Sequence, residues 1–281
     1  MTKVSTQVEF YQGAKGPLCR IIRTPEQILA QLLFIPPLFE QANQTRHHTT
    51  RSAINAYHQG IKTIVFDHYG TGDSAGELID ANLALWQQDI LQQLTDIKAS
   101  STLGIYLSLP LSAVLLLSDE ILKQVDGVML LQPDFNGKRF VLQFKRLALA
   151  AQLTKNNKVQ NDQSIHSQAN QQKIIEIAGY QMHADLLEEI VGQSLSKLAD
   201  FNGCCYWFEW QAASEELSPG RVKQQQALTK KNSGLSIKKV DDGKFWQASE
   251  LQIADSYLRQ EQVIFSQIVF SPVHSSKSEI S

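Results

Sequence analysis

The chain has 281 residues, of which 43% are apolar and 19% charged. That composition supplies a sizeable core and excludes a disordered chain, and the length fits one large domain or one domain with an insertion. Lys plus Arg total 26 against 28 Asp plus Glu, a formal charge of −2, so the basic surplus of a protein that wraps nucleic acid is missing.

Residues 4–23 predict two antiparallel strands, Val8-Glu9-Phe10-Tyr11 and Cys19-Arg20-Ile21-Ile22, joined by a turn through Gly13 to Pro17. Residues 29–35 form a near-continuous apolar run stopped by Pro36-Pro37, which suits a buried strand. Residues 43–58 predict a helix with Gly60 just past its end. Thr63-Ile64-Val65-Phe66 is the next buried strand, and a glycine-rich loop follows it. Leu83, Trp86, Ile90, Leu94 and Ile97 then recur at helical spacing. A strand at 103–107, a helix at 111–122 and a strand at 125–131 continue the alternation. This is the sequence form of a mostly parallel sheet with helices on both faces.

The pattern changes from 134 to about 200. Residues 140–153 predict an amphipathic helix with Lys138, Arg139, Lys145 and Arg146 beside Phe140, Phe144, Leu147 and Leu149. Such a mix can roof a cleft or touch a partner or membrane surface, and a roof with a solvated basic side is the simplest account. Residues 155–173 are polar and read as a mobile insertion. A short extended segment at 174–180 and a helix at 184–198 follow. The core alternation resumes with a strand at 203–210, a helix at 222–229, a strand at 235–240 and a closing helix within 255–262. The expected division is a core of 1–133 and 201–270, a cap of 134–200 and a frayed tail of 271–281.

Three cysteines, Cys19 and the adjacent Cys204-Cys205, cannot build a disulfide framework, and the odd count points to a reducing compartment. Met1 to Ser5 lack the basic-then-apolar pattern of a signal peptide. The longest apolar stretch, 103–117, contains Ser108, Pro110 and Ser112 and falls short of the roughly 20 residues a membrane span needs. A cytoplasmic, soluble protein is expected.

Two antiparallel strands, a strand–helix series, an insertion after a mid-sheet strand, then two more strands and a final helix resemble the α/β-hydrolase fold with a cap after the sixth strand. The resemblance sharpens at five places: Phe34-Ile35-Pro36-Pro37-Leu38-Phe39-Glu40 with Asn43 and Arg46; Phe66-Asp67-His68-Tyr69-Gly70 through Gly76; Leu131-Gln132-Pro133 with Gly137 to Phe140 and Gln143 to Leu147; Ile177 to Tyr180 with Leu186-Leu187; and Phe245-Trp246-Gln247 with Glu250. Together, over residues 34–257, these resemble the exosortase A system-associated hydrolases, in particular the hydrolase 2 type. The resemblance implies a bacterial protein from an exopolysaccharide and protein-sorting gene neighbourhood, with hydrolase activity inferred from the fold.

An active α/β-hydrolase needs a nucleophile on a tight strand-to-helix turn, usually in G-x-S-x-G. The corresponding place reads Ser108-Leu109-Pro110-Leu111-Ser112, which puts Pro110 at the nucleophile position. Proline has no nucleophilic atom, and its ring forbids the positive φ of the elbow. Ser108 and Ser112 flank the turn as the only replacements, and packing explains both. The histidine should follow the last strand, but Asp241-Asp242-Gly243-Lys244-Phe245-Trp246 contains none. His166, His183 and His274 are surface or tail residues, and Glu209, Glu215 and Glu216 are acids without a base. Leu38 and Phe39 occupy the oxyanion-type loop. Glu40, Asn43, Arg46, Asp67 and Asp73 are candidate polar groups of the cleft, with Arg46 expected to pair with Asp67 or Asp73.

No Cys/His spacing fits zinc, and Asp67 with the 70–76 glycines lacks the spacing of a dinucleotide or phosphate loop, so neither a metal nor a cofactor is expected. The three cysteines read as core. Two functions follow. The first is an inert or impaired binding or accessory protein for a small acyl, ester or glycan-related ligand. The second is a hydrolase of an ester, acyl or thioester bond with an unorthodox nucleophile.

Overall fold

The computed structural model describes residues 4–155, 174–212, 214–248 and 250–270. The polar stretch 155–173 beyond its first residue, the tail 271–281, His166 and His274 lie outside the described residues. Eight strands form one sheet: β1 (Thr6–Gln12), β2 (Pro17–Arg23), β3 (Ala30–Phe34), β4 (Ile61–Phe66), β5 (Ile105–Pro110), β6 (Gly127–Leu131), β9 (Cys204–Trp210) and β10 (Leu235–Val240). Their order is β1-β2-β4-β3-β5-β6-β9-β10. The strands from β4 to β10 run parallel, and β1 and β2 are antiparallel.

β3, β5 and β6 are buried at every residue, as their continuous apolar runs require of strands covered on both faces. Side chains alternate between two cores. Leu33, Ile35, Leu107, Leu109, Val128, Leu130 and Trp207 face one, with α2 (Leu83–Ser100). Leu32, Phe34, Met129, Leu131, Phe208 and Trp210 face the other, with α1 (Glu40–His58) and α8 (Asp255–Phe270). Asn82 starts α2, its side chain accepting the Leu85 N–H at 2.8 Å.

The helix expected over 111–122 is broken. Residues Leu111–Leu116 form a 3-10 turn with all six side chains buried, and α3 is the single turn Asp119–Leu122. An apolar run without helical period packs inward from every side and gains nothing from a longer regular helix. Between β6 and β9 the chain runs through α4 (Gly137–Lys155), a hairpin of β7 (Ile174–Ile177) and β8 (Tyr180–His183), α5 (Ala184–Val191) and α6 (Ser196–Ala199). The extended segment expected at 174–180 is thus half of a hairpin. Its turn, Ala178-Gly179, has φ of 53° and 82°. The single helix expected at 184–198 divides at Gly192. α7 (Pro219–Lys231) begins at the Ser218 cap.

Candidate functional site

Parallel strands deliver their carboxyl ends to one sheet edge, where open α/β sheets bind ligands. Four non-glycine residues among those described have a left-handed φ: Phe39 (54°), Leu111 (51°), Gln132 (44°) and Ala178. The first three line one cleft of about 740 Å³ at that edge. Such a backbone costs an L side chain roughly 1–3 kcal/mol and tends to cluster at functional sites.

The bend after β5 is one residue later than expected. Pro110 is extended, with φ −74° and ψ 137°, and belongs to the strand opposite Leu131. Its ring lines a small internal hollow with Ser108, His48 and Phe245, on the α1 and α8 side of the sheet. Leu111 takes the left-handed conformation and lines the cleft. The reason is proline's own geometry: its ring excludes positive φ, so the chain turns at the next residue. Leucine offers no nucleophilic atom either.

Ser108 and Ser112 are both buried. Ser112 is bound from both ends. Its Oγ accepts the Leu38 N–H at 2.9 Å, and its own N–H donates to Gln41 Oε1 at 3.1 Å. In this fold an oxyanion hole uses the N–H after the nucleophile and an N–H of the loop after the third strand. Here the Ser112 and Leu38 N–H groups already have partners inside the protein. Gln41 was not singled out by the sequence, since a glutamine at the start of a helix looks like any surface residue.

The acidic groups that follow β9 and β10 both have partners inside the protein. Glu209, at the end of β9, is buried and bound by Arg221 Nε at 2.7 and 2.9 Å and by Trp207 Nε1 at 2.7 Å. Arg221 also donates to Pro133 O at 2.7 Å, and its guanidinium lies 4.6 Å from the Trp207 ring centre. This is a closed ion pair, and among the described residues no histidine hydrogen-bonds to Glu209. After β10, Asp242 accepts the N–H groups of Ser256 and Tyr257 and starts α8. Phe245 and Trp246 follow, both buried, with Phe245 stacked on His48 at 3.7 Å and Trp246 edge-on to Trp210 at 5.0 Å.

Three of the described histidines are engaged elsewhere. His183 accepts the Asp185 N–H at 3.3 Å and caps α5. His48 Nε2 accepts the Ala254 N–H at 3.0 Å, and burial pushes its pKa down to about 4. His68 lies against Trp86 with its Nε2 3.3 Å from Pro36 O, and burial likewise lowers it to about 4. Both rings are neutral at pH 7. Burial raises the Cys205 thiol to about 12 and pushes Cys19 upward as well, so neither supplies thiolate.

Leu38 and Phe39 stand between the main cleft and a second cavity of about 650 Å³. Glu40, on the main-cleft side, accepts the Tyr180 hydroxyl at 3.1 Å. Asn43, Arg46 and Asp67 line the second cavity. Arg46 pairs with Asp67 at 3.1 Å, and the other Asp67 oxygen accepts the Asp73 N–H at 3.1 Å. Asp73 itself is exposed and faces a third hollow beside β1. The ten expected site residues therefore divide among the cleft, its neighbour, the third hollow and the layer beneath. Among the described residues no three His, Cys, Asp or Glu side chains gather as a metal site would need.

No protein-family model matches the chain, and no curated protein does. Solved structures do. A putative hydrolase from Agrobacterium vitis S4 is 14% identical over 95% of this chain and 99% of its own, with a TM-score of 0.57. The α/β hydrolase GrgF from Penicillium sp. sh18 is 12% identical over 95% and 99%, TM-score 0.59. Est1E from Butyrivibrio proteoclasticus, with ferulic acid bound, is 11% identical over 92% and 97%, TM-score 0.58. At these identities the likeness is one of fold: the chain has the α/β-hydrolase fold.

Proposed function

We propose that this protein binds a ligand in its cleft without hydrolysing it, as an accessory protein of the exopolysaccharide and protein-sorting setting that its sequence resemblance implies. The observation that carries this reading is the leucine at the bend. Leu111 keeps the strained backbone of a nucleophile elbow and presents only methyl groups to the cleft. Two features support it. The Ser112 and Leu38 N–H groups are held by internal partners, and the loop after β10, where this fold carries its histidine, holds the buried Phe245 and Trp246. Restoring one missing group of a triad does not restore the unit, because its members act together.

The ligand belongs to a small acyl, ester or glycan-related class. Residues 134–200 serve as the cap over the core formed by 1–133 and 201–270, and Phe144 and Leu147 of the cap line the cleft. The test is treatment of the purified protein with a fluorophosphonate probe, assay on short p-nitrophenyl esters, and thermal-shift screening with acyl esters and oligosaccharides. The expected result is no labelling, no hydrolysis by the natural chain or by Leu111→Ser, and stabilisation by one ligand class. Labelling or turnover that Ser108→Ala or Ser112→Ala abolishes would establish the enzyme instead.

A further inference from the structure

α4 carries five basic residues, Lys138, Arg139, Lys145, Arg146 and Lys155, and no acidic one, in a chain of formal charge −2. Phe140, Val141 and Phe144 point inward and are buried. At 3.6 residues per turn, the side opposite them carries Leu142 and Leu149 in line, two turns apart. Both are exposed, at 48% and 57%. Lys138 and Lys145 lie along one flank of these leucines and Arg139 and Arg146 along the other, all four exposed. Arg139 is tied to Asp134 at 2.7 Å, while Lys138, Lys145 and Arg146 form no ion pair among the described residues.

A helix of a soluble domain places its leucines on the core stripe and its charges opposite. Here two leucines sit in the middle of the charged side. We propose that this face of α4 seats the protein on an anionic lipid surface, lying in the interface without crossing it. The leucines enter the headgroup–acyl boundary. The flanking Lys and Arg lay their methylene stems along it and reach lipid phosphates with their charged ends. A bilayer suits this face better than a folded acidic partner does, because the two exposed leucines lie in one line on a single helix with basic residues along both flanks. Among the described residues no helix is long and apolar enough to cross a membrane. The inference does not depend on the inert-cleft reading. It does place the mouth of the cleft, to which α4 contributes Gln143 and Leu147, close to the lipid.

The test is flotation with phosphatidylcholine vesicles, with and without phosphatidylglycerol, at low and high salt. The expected result is co-flotation only with the anionic vesicles, weakened by salt. Lys145→Glu with Arg146→Glu should weaken it at least about tenfold, since each basic residue near an anionic surface contributes severalfold. Leu142→Ala with Leu149→Ala should weaken it at unchanged charge. All four positions are exposed, and circular dichroism of each variant confirms its fold. No flotation, equal flotation with neutral vesicles, or flotation untouched by both variants overturns the proposal. So does binding to heparin or to an acidic protein in place of vesicles.

Discussion

A carboxyl lies fully buried between two helices. Glu261 on α8 is fully buried, and its Oε1 accepts the Ser52 hydroxyl of α1 at 2.5 Å and the Tyr257 hydroxyl one turn away. Its Oε2 has no partner. Burial lifts its pKa from the ordinary 4.5 to about 7. Below pH 4.5 the group is protonated in both folded and unfolded chains. Between 4.5 and 7 only the folded chain keeps the proton, so stability falls as pH rises, at about 1.4 kcal/mol per unit and about 3 kcal/mol in all. His48 and His68 work in the opposite sense. Their folded values near 4 lie below the usual 6.5, so the unfolded chain holds the extra protons and stability climbs between those limits. With Asp89 also raised by burial, the two histidines and the two carboxyls act in opposite senses on the whole curve, and a substitution at Glu261 changes only the Glu261 share. Glu261→Gln removes the fall. At low pH it should cost roughly 1–3 kcal/mol, because the new amide NH₂ lies where Oε2 finds no partner. That deficit should shrink by about 3 kcal/mol between pH 4.5 and 7, because only the natural chain pays for ionisation. Asp89, also raised by burial, is common to both proteins and cancels in the difference. Urea unfolding at a series of pH values, followed by fluorescence of the buried tryptophans, measures both curves. A stability difference between the two proteins that stays constant from pH 5 to 7.5 would refute the reasoning.

Two other substitutions test the architecture around the cleft. Arg221→Met leaves the Glu209 carboxyl buried without its partner and should cost about 3–5 kcal/mol by the same urea assay, whereas Glu209→Gln combined with it should recover part of the loss. A cost below about 1 kcal/mol would show the pair to be open to water. Gly137→Ala places a Cβ 1.7 Å from the Ile190 carbonyl, a backbone atom that cannot swing aside. It should destabilise by about 1–3 kcal/mol through displacement of α4 from α5, and an unchanged midpoint would mean that the two helices do not meet there.

The central strands were legible because strands covered on both faces must be apolar throughout, and residues 29–35, 63–66 and 125–131 read that way. The α4 face was not. Its leucines and aromatics read as one amphipathic set, yet among its described side chains only Phe140, Val141 and Phe144 are covered, while Leu147 is 71% exposed at the rim of the cleft. The Ser112–Gln41 contact joins residues 71 positions apart, and nothing local announces it. By contrast, the buried polar cluster leaves a trace in the sequence, since His48 and Ser52, and Tyr257 and Glu261, are each four apart and so share one helix face.

The displaced bend is the more instructive case. A proline at the end of β5 was reason enough to doubt a nucleophile, but the same locked φ also says that the turn cannot occur at Pro110. Hydrogen bonding allows it to remain in the strand, since at the strand's last position the missing N–H falls where the ladder is ending. The left-handed turn then passes to Leu111, which is 5% exposed, and burial of its side chain offsets the backbone strain. One imino acid thus fixes where the sheet edge turns, and the residue after it sets the floor of the cleft as hydrocarbon.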